Sequence, residues 1–227
     1  MTRARDVYHQ DGLITLLRKV LAFLLVYENF TCYLYQAALK IRNEDDFTPR
    51  IQDFTLKIVS TKPQLNELVN SGFDLSRVSA KVKYRIEKGA IACLVFVNKE
   101  LASMEWAAMN AEAKASIDKY PCQVDFASKE AYAGDVWTNS KYRGNGLHIY
   151  AYFKIYDFLR ENGIITVWSI VEVHNTAAMK SHDRFAPEER IVLRGRYLRI
   201  TGLHFWRETP LRLNNNNNAG KPGNGHD

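Results

Sequence analysis

A short stretch of the chain, residues 136–147, carries the residue types of a phosphate-binding loop. An apolar strand end runs into a loop that contains Arg143, Gly144 and Gly146, and the pattern of a long helix begins at Leu147. Glycine lets backbone N–H groups turn toward a ligand, and the first N–H groups of a helix have no internal partner and lie at the positive end of its dipole. The stretch therefore predicts an anion-binding loop, and the alternative is an ordinary strand-to-helix turn.

Two common phosphate loops do not match this stretch. A P-loop needs a second glycine followed by Lys and by Ser or Thr, and a dinucleotide fingerprint needs a third glycine where Ile149 stands. The segment from Arg143 to His148 instead resembles the acyl-CoA pyrophosphate loop of the GNAT superfamily of N-acetyltransferases, written Arg/Gln-x-x-Gly-x-Gly/Ala. Arg143 and Gly146 match that pattern, and His148 departs from it.

A second segment resembles the same family. Residues 175–182 are similar to the GNAT segment Asn-x-x-Ala-x-x-x-Tyr, whose tyrosine can protonate the departing thiolate. His182 stands in the place of that tyrosine, and an imidazolium can also donate a proton; the alternative is a histidine on the surface of a helix. The resemblance implies that the cofactor is bound by Val136, Trp137, Thr138, Arg143, Gly144, Asn145, Gly146, Leu147 and Asn175.

Acyl transfer from a thioester to an amine also needs a group that takes a proton from the ammonium. Glu105, Asp135 and the pair Glu172 and His174 are candidates, and the alternative for each is a solvated or salt-bridged group. We favour Glu172 and His174 because side chains repeat with period two along a strand, which places both on one face beside the expected thioester. The cysteines have no obvious base partner, so a covalent acyl-cysteine route is disfavoured.

The elements that position these residues follow from hydrophobic periodicity. Helices are predicted to begin at Pro63, near Asp74, at Leu147 and at Asn175, and residues 110–120 are interpreted as a polar insertion. The predicted strands lie at residues 29–35, 54–59, 90–97, 101–109, within 123–138, and at 164–173, 191–194, 197–201 and 203–207.

This order of elements resembles the GNAT fold. The strand before the glycines, the helix after them and the next strand predict a crossover with parallel strands. The expected class is α/β, with a mixed, mostly antiparallel sheet that has a central parallel strand pair flanked by helices. We expect an N-terminal helix and strand extension over residues 1–50, a GNAT-like acyltransferase domain over 51–212, and a disordered Asn/Gly-rich tail over 213–227.

Composition limits the partners and the compartment. The net charge of +6 favours anionic partners. Nucleic acid is disfavoured because the six arginines from Arg190 to Arg212 alternate with apolar residues and no recognition-helix pattern is present. The most apolar segment, residues 13–27, is interrupted by Arg18 and Lys19, and its uninterrupted part, residues 20–27, is too short to span a bilayer. Three distant cysteines indicate neither a metal site nor a disulfide framework, and they fit a reduced cytoplasmic compartment.

Leucines at helical spacing between Leu13 and Leu24 predict a first helix with an apolar stripe. The stripe is expected to pack against the domain or a sister subunit, which is compatible with a homo-oligomer. The alternative is docking on an anionic membrane surface.

The sequence thus predicts a metal-free acyltransferase that uses acetyl-CoA, or another acyl-CoA, to acylate a primary amine of a small molecule. The first alternative is a noncatalytic member of the fold that binds acyl-CoA or a protein partner. The second, a basic protein that binds nucleic acid or a membrane surface, rests only on charge and on the first helix.

Overall fold

The computed structural model describes residue 14 and residues 28–185, 188–200 and 203–211. The predicted first helix, apart from residue 14, and the predicted tail over residues 213–227 lie outside the described residues. Within the described part of the chain, no helix is long and apolar enough to cross a membrane.

The described residues form one eight-stranded sheet packed between helices. The strands are β1 (Glu28–Ala38), β2 (Thr55–Val59), β3 (Ile91–Val97), β4 (Glu100–Ala108), β5 (Glu130–Thr138), β6 (Thr166–Glu172), β7 (Glu189–Ile200) and β8 (Leu203–Pro210). The helices are α1 (Lys62–Asn70), α2 (Ser79–Glu87), α3 (Ala111–Ile117), α4 (Leu147–Glu161) and α5 (Thr176–Asp183).

The strand order across the sheet is β2-β3-β4-β5-β6-β1-β7-β8. Neighbouring strands are antiparallel except β5 and β6, which pair in parallel. The expected fold class, a mixed and mostly antiparallel sheet with a central parallel pair flanked by helices, is therefore confirmed. Strand β1, predicted to belong to an N-terminal extension, lies inside this sheet between β6 and β7.

The parallel pair is short, and the sheet opens beyond it. Pairing between β5 and β6 ends at Tyr132 and Trp168. Farther along, β5 stays with β4 as far as Thr138, and β6 stays with β1 as far as Glu172. Two neighbouring strands thus follow different partners, which leaves a gap between them in the middle of the sheet.

Helix α4 has apolar residues on almost every side, as expected for a helix that two parts of the protein cover. One side packs on the sheet, and the other is crossed by the strap, residues 39–54, which connects β1 to β2 at the edge of the sheet. Phe47 of the strap stacks on Phe153 with ring centroids 4.9 Å apart. The Tyr150 hydroxyl donates a hydrogen bond to Glu44, so the strap holds α4 in place from outside.

The two faces of the sheet build two separate cores. Met104 and Trp106 of β4 belong to the core that also contains residues of α1, α2 and α3. Glu105 stands between them, and successive side chains of a strand point to opposite faces. Its carboxyl group therefore points to the face covered by α4, where its partner across the ladder, Cys93, also packs.

The structure differs from the predicted elements in two places. The polar segment over residues 110–120 contains α3, which Asn110 caps by accepting a hydrogen bond from the Ala113 N–H at 2.8 Å. The predicted strands over residues 191–194 and 197–201 are one strand, β7. Gly195 does not interrupt it, because the Trp206 ring occupies the space where a side chain would stand.

Candidate functional site

A cavity of about 370 Å³ lies where β5 and β6 diverge. Its walls come from β4, β5, β6, α4, α5 and the residues that end and follow α3. Both faces of the sheet contribute, since Glu105 points to the α4 face and Tyr132 belongs to the opposite core. The cavity therefore lies in the gap itself, with residues from both faces of the sheet in its walls.

The glycine loop, residues 139–146, connects β5 to α4. Asn139 begins it by accepting a hydrogen bond from the Lys141 N–H, and Gly144 and Gly146 both have φ near +80°. Gly146 is the N-cap residue of α4 and provides no side-chain cap. The first N–H groups of this 15-residue helix are therefore available to an anion.

The two cations of the loop have different partners. Lys141 forms an ion pair with Glu100 at 2.8 Å. Arg143 is exposed, and its Nε donates to the Thr138 carbonyl oxygen at 3.2 Å; it forms no ion pair with any described residue. Arg143 is therefore the loop cation whose charge is available to a bound phosphate.

The end of β5 separates the three residues predicted to face pantetheine. Val136 lines the cavity and is 39% exposed. Trp137 borders a different pocket beside Asn139, and the Thr138 hydroxyl is paired with Ser103 Oγ at 3.1 Å. The cause is an irregular pairing with β4 opposite Glu105, which turns the chain between Gly134 and Trp137.

His182 is buried at the wall of the cavity and is 8% exposed, which excludes the alternative of a surface histidine. Its Nδ1 lies 2.5 Å from Oε1 of Glu189, and its ring stacks on Tyr35 with centroids 4.3 Å apart. The pair holds the imidazole in one orientation. With Nδ1 occupied by Glu189, Nε2 is the ring nitrogen left for other partners.

Glu189 accepts further hydrogen bonds. Tyr152 donates to Oε1 at 2.7 Å, Ser169 at 3.3 Å and Tyr156 at 3.4 Å, whereas Oε2 has no partner among the described residues. Burial, with the charge of Glu189, raises the pKa of both tyrosines well above the ordinary value, so both remain donors. We call His182, Glu189, Tyr152, Tyr156 and Ser169 together the histidine network.

Glu172 and His174, favoured as the base, lie at the mouth of the cavity. Glu172 lines it and accepts a hydrogen bond from the Tyr120 hydroxyl at 3.0 Å. His174 Nε2 is 3.8 Å from Glu172, but its side chain is 72% exposed and is not part of the cavity wall. Strand β6 ends at Glu172, so the period-two argument does not extend to His174.

The other two carboxyl groups considered as bases, those of Asp135 and Glu105, differ in their partners. Asp135 is paired with Lys81 at 2.6 Å and with Arg85; burial alone would raise its pKa, but these cations outweigh burial and lower it. Glu105 is 0% exposed and lines the cavity, and neither of its oxygens has a partner among the described residues. Burial, followed by the charge of Glu189, raises the pKa of Glu105 well above its ordinary value.

His148 and Asn175 complete the cavity wall on the helix side. Asn175 caps α5 by accepting from the Ala178 N–H at 3.1 Å. His148 is the second residue of α4, and its buried Nδ1 has no partner among the described residues. Burial, with the nearby His182, lowers the pKa of His148 to about 4, so this imidazole is neutral near pH 7.

Sequence reasoning missed the polar residues that surround His182, namely Tyr152, Tyr156, Ser169 and Glu189. Both tyrosines belong to the helix predicted to begin at Leu147, and their spacing of four residues was the available signal that their hydroxyls meet. Among the described residues, no group of three or more His, Cys, Asp or Glu residues is arranged to bind a metal.

No family model matches the sequence, and no curated protein matches it either. Similar solved structures include a tandem GNAT protein from the clavulanic acid biosynthesis pathway, with 12% identity, 82% of this chain and 59% of that chain covered, and a TM-score of 0.49. A GNAT-family acetyltransferase from Colwellia psychrerythraea has 13% identity, coverages of 82% and 61%, and a TM-score of 0.48.

A conserved protein of unknown function from Staphylococcus epidermidis is also similar, with 13% identity, coverages of 86% and 64%, and a TM-score of 0.42. The chain spans about three-fifths of the length of these structures. Similarity at this level, with TM-scores below 0.5, leaves both the family and the reaction open.

Proposed function

We propose that this chain is an acyl-CoA-dependent N-acyltransferase that transfers an acyl group, in the simplest case acetyl from acetyl-CoA, to a primary amine of a small molecule. The observation that carries the proposal is the gap between β5 and β6. Its cavity is lined both by Val136, near the end of β5 that leads into the glycine loop, and by the buried His182. A long thioester with a pyrophosphate group needs an anion site and a reaction site joined by such a cavity.

The residues of this chain fit an acyl-CoA. The N–H groups at the start of α4 and the charge of Arg143 would hold the pyrophosphate. A side chain at Gly144 would meet no atom within 4 Å, so the loop is open where a ligand would approach. The edge of β5 beyond Tyr132 is not paired with β6 and would bind the amides of the pantetheine arm.

The reaction needs three proton transfers. The acceptor ammonium first loses a proton, and we assign this step to Glu172, which lines the cavity, with His174 beside it. The amine lone pair then forms the C–N bond while the C–S bond of the thioester breaks, and the nitrogen releases its second proton to solvent so that a neutral amide forms. The departing thiolate takes one proton, which we assign to His182, oriented by Glu189. Acyl-CoA supplies the activated acyl group.

Calorimetric titration of the full chain with acetyl-CoA tests the cofactor site. We expect binding near micromolar affinity, weakened at least about tenfold by Arg143→Glu because the variant replaces the loop cation with an anion. Arg190→Glu, the same change at an exposed position of β7, serves as the matched control and should bind like the wild type. No heat with acetyl-CoA or with longer acyl-CoAs, or equal losses in both variants, would contradict the proposal.

Thioester turnover separates the enzyme from the noncatalytic alternative. Release of free thiol when primary amines are added to the protein and acetyl-CoA supports the transferase. Binding without thiol release across a broad set of amines supports a protein that only binds acyl-CoA, in line with His148 and His182 at positions where the family pattern differs.

The described cysteines are buried and free, which supports the proposed reduced, cytoplasmic compartment.

A further inference from the structure

Two polar side chains in the cavity have atoms that the protein leaves without hydrogen bonds. Glu105 is 0% exposed, and both of its carboxyl oxygens lack a partner among the described residues. The buried Nδ1 of His148 lacks one as well. Both side chains line the same cavity, from β4 and from the first turn of α4. Buried polar atoms are almost always paired, so two unpaired groups facing one cavity indicate a missing partner.

These groups lie on the α4 side of the gap, close to the histidine network. The charge of Glu189 acts on Glu105, and Glu105 in turn acts on Tyr156. The histidine network contains His182, the residue assigned to the thiolate. Glu105 therefore lies in the part of the cavity that His182 also lines, where the acyl group would sit.

We propose that Glu105 and His148 form an acyl pocket that selects a short hydroxyacyl group over an unsubstituted acyl group of the same length. This inference rests on the proposed function and names the acyl donor that the site prefers. A hydroxyl group can donate one hydrogen bond and accept another, so a single substituent can pair with both side chains.

The protonation of the two groups favours a neutral partner. Burial raises the pKa of Glu105 well above its ordinary value, which favours the protonated carboxyl, and burial lowers the pKa of His148 to about 4. A neutral carboxyl offers both a donor and an acceptor to a hydroxyl, and Nδ1 of a neutral imidazole is a donor or an acceptor, depending on the tautomer. An acyl group that ends in a carboxylate would instead lie beside Glu105 and Glu189, and an alkyl group would leave both polar groups unpaired.

Calorimetric titration with lactoyl-CoA and propionyl-CoA tests the pocket, because the two thioesters differ by one hydroxyl. We expect the full-length wild type to bind lactoyl-CoA at least about tenfold more tightly, since a site built to bond a hydroxyl discriminates against the analogue that lacks it. Butyryl-CoA and its β-hydroxy derivative, compared in the same way, show how far from the thioester the preferred hydroxyl lies.

Glu105→Leu removes both oxygens at nearly constant volume and should abolish or reverse the preference for lactoyl-CoA. Glu161→Gln, at the exposed end of α4, is the matched control and should keep it. Equal affinities of the wild type for the two thioesters, or a preference that survives in Glu105→Leu, would overturn the acyl pocket while leaving acyl-CoA binding intact. No binding of any thioester, in contrast, would overturn the proposed function together with this inference.

Discussion

Glu189 and Glu105 are two buried carboxyl groups of the same core with opposite surroundings. Oε1 of Glu189 accepts hydrogen bonds from Tyr152, Tyr156 and Ser169 and lies 2.5 Å from Nδ1 of His182. Both oxygens of Glu105 lack partners among the described residues, although Glu105 is completely buried. One carboxyl is thus held by the protein itself, and the other faces a cavity.

The two carboxyl groups therefore have different roles: Glu189 positions a side chain of the protein, and Glu105 is open to a ligand. A buried acceptor surrounded by donors fixes the geometry of those donors, and the imidazole of His182 is the group that benefits at the cavity wall. A buried carboxyl without partners is costly to the folded chain, and the cost is removed only when a ligand or solvent provides the missing bonds. Stability measurements on the protein without ligand should therefore give opposite results at the two positions.

The largest effect is expected at Glu189. Glu189→Ala removes the shared acceptor of the histidine network and should lower the free energy of unfolding by about 3–5 kcal/mol, the range seen when one partner of a buried charged pair is removed. Urea denaturation of the purified chain near pH 7 measures the loss. Glu189→Gln keeps an acceptor oxygen and should lose clearly less; an alanine variant within about 1 kcal/mol of the wild type would show that the network does not stabilise the fold.

Local patterns predicted the parts of the molecule that are local in sequence. The turn at Gly144 and Gly146 and the start of α4 at Leu147 follow from residues close together in the chain. The place of β1 between β6 and β7 does not, because its pairs, such as Cys32 with Glu172, join residues far apart in sequence. The strap over α4 follows from that placement and was not predicted.

The candidate site shows the same limit. Glu172 was placed correctly at the end of a strand, but the face shared with His174 assumed that the strand continued, and it ends at Glu172. Glu105 was recognised as one of several acids, since it is a charged residue in an otherwise apolar strand. Its lack of partners depends on how β4, α4 and β7 pack together, which the sequence pattern does not specify.

A smaller effect of opposite sign is expected at Glu105. Because the folded-state pKa of Glu105 is raised, the unfolded chain releases this proton at lower pH than the folded chain, and wild-type stability falls as the pH rises above about 4.5. The Glu105→Leu variant has no carboxyl group at this position, so its stability does not fall with rising pH for this reason. It should be more stable than the wild type near pH 8 by at least about 1 kcal/mol, the equivalent of roughly one pKa unit.

The pH dependence distinguishes this explanation from a general packing effect. Parallel denaturation curves at pH 4.5 and pH 8 should show a small difference between Glu105→Leu and the wild type at the lower pH and a larger one at the higher pH. A gain of equal size at both values would mean that leucine only packs better. A variant less stable than the wild type at pH 8 would mean that Glu105 has bonds within the protein.

The smallest effect is expected at Tyr35. It tests whether a residue that stacks on His182 without a hydrogen bond contributes to the histidine network. Tyr35 stacks on His182, but its buried hydroxyl has no partner among the described residues, and burial raises its pKa to about 12. Tyr35→Phe keeps the ring and should change the free energy of unfolding by no more than about 0.5 kcal/mol. Tyr152→Phe is the matched control, because it removes a donor to Glu189 and should cost about 1.5–3 kcal/mol. Equal losses in the two variants would show that the Tyr35 hydroxyl is itself bonded and belongs to the histidine network.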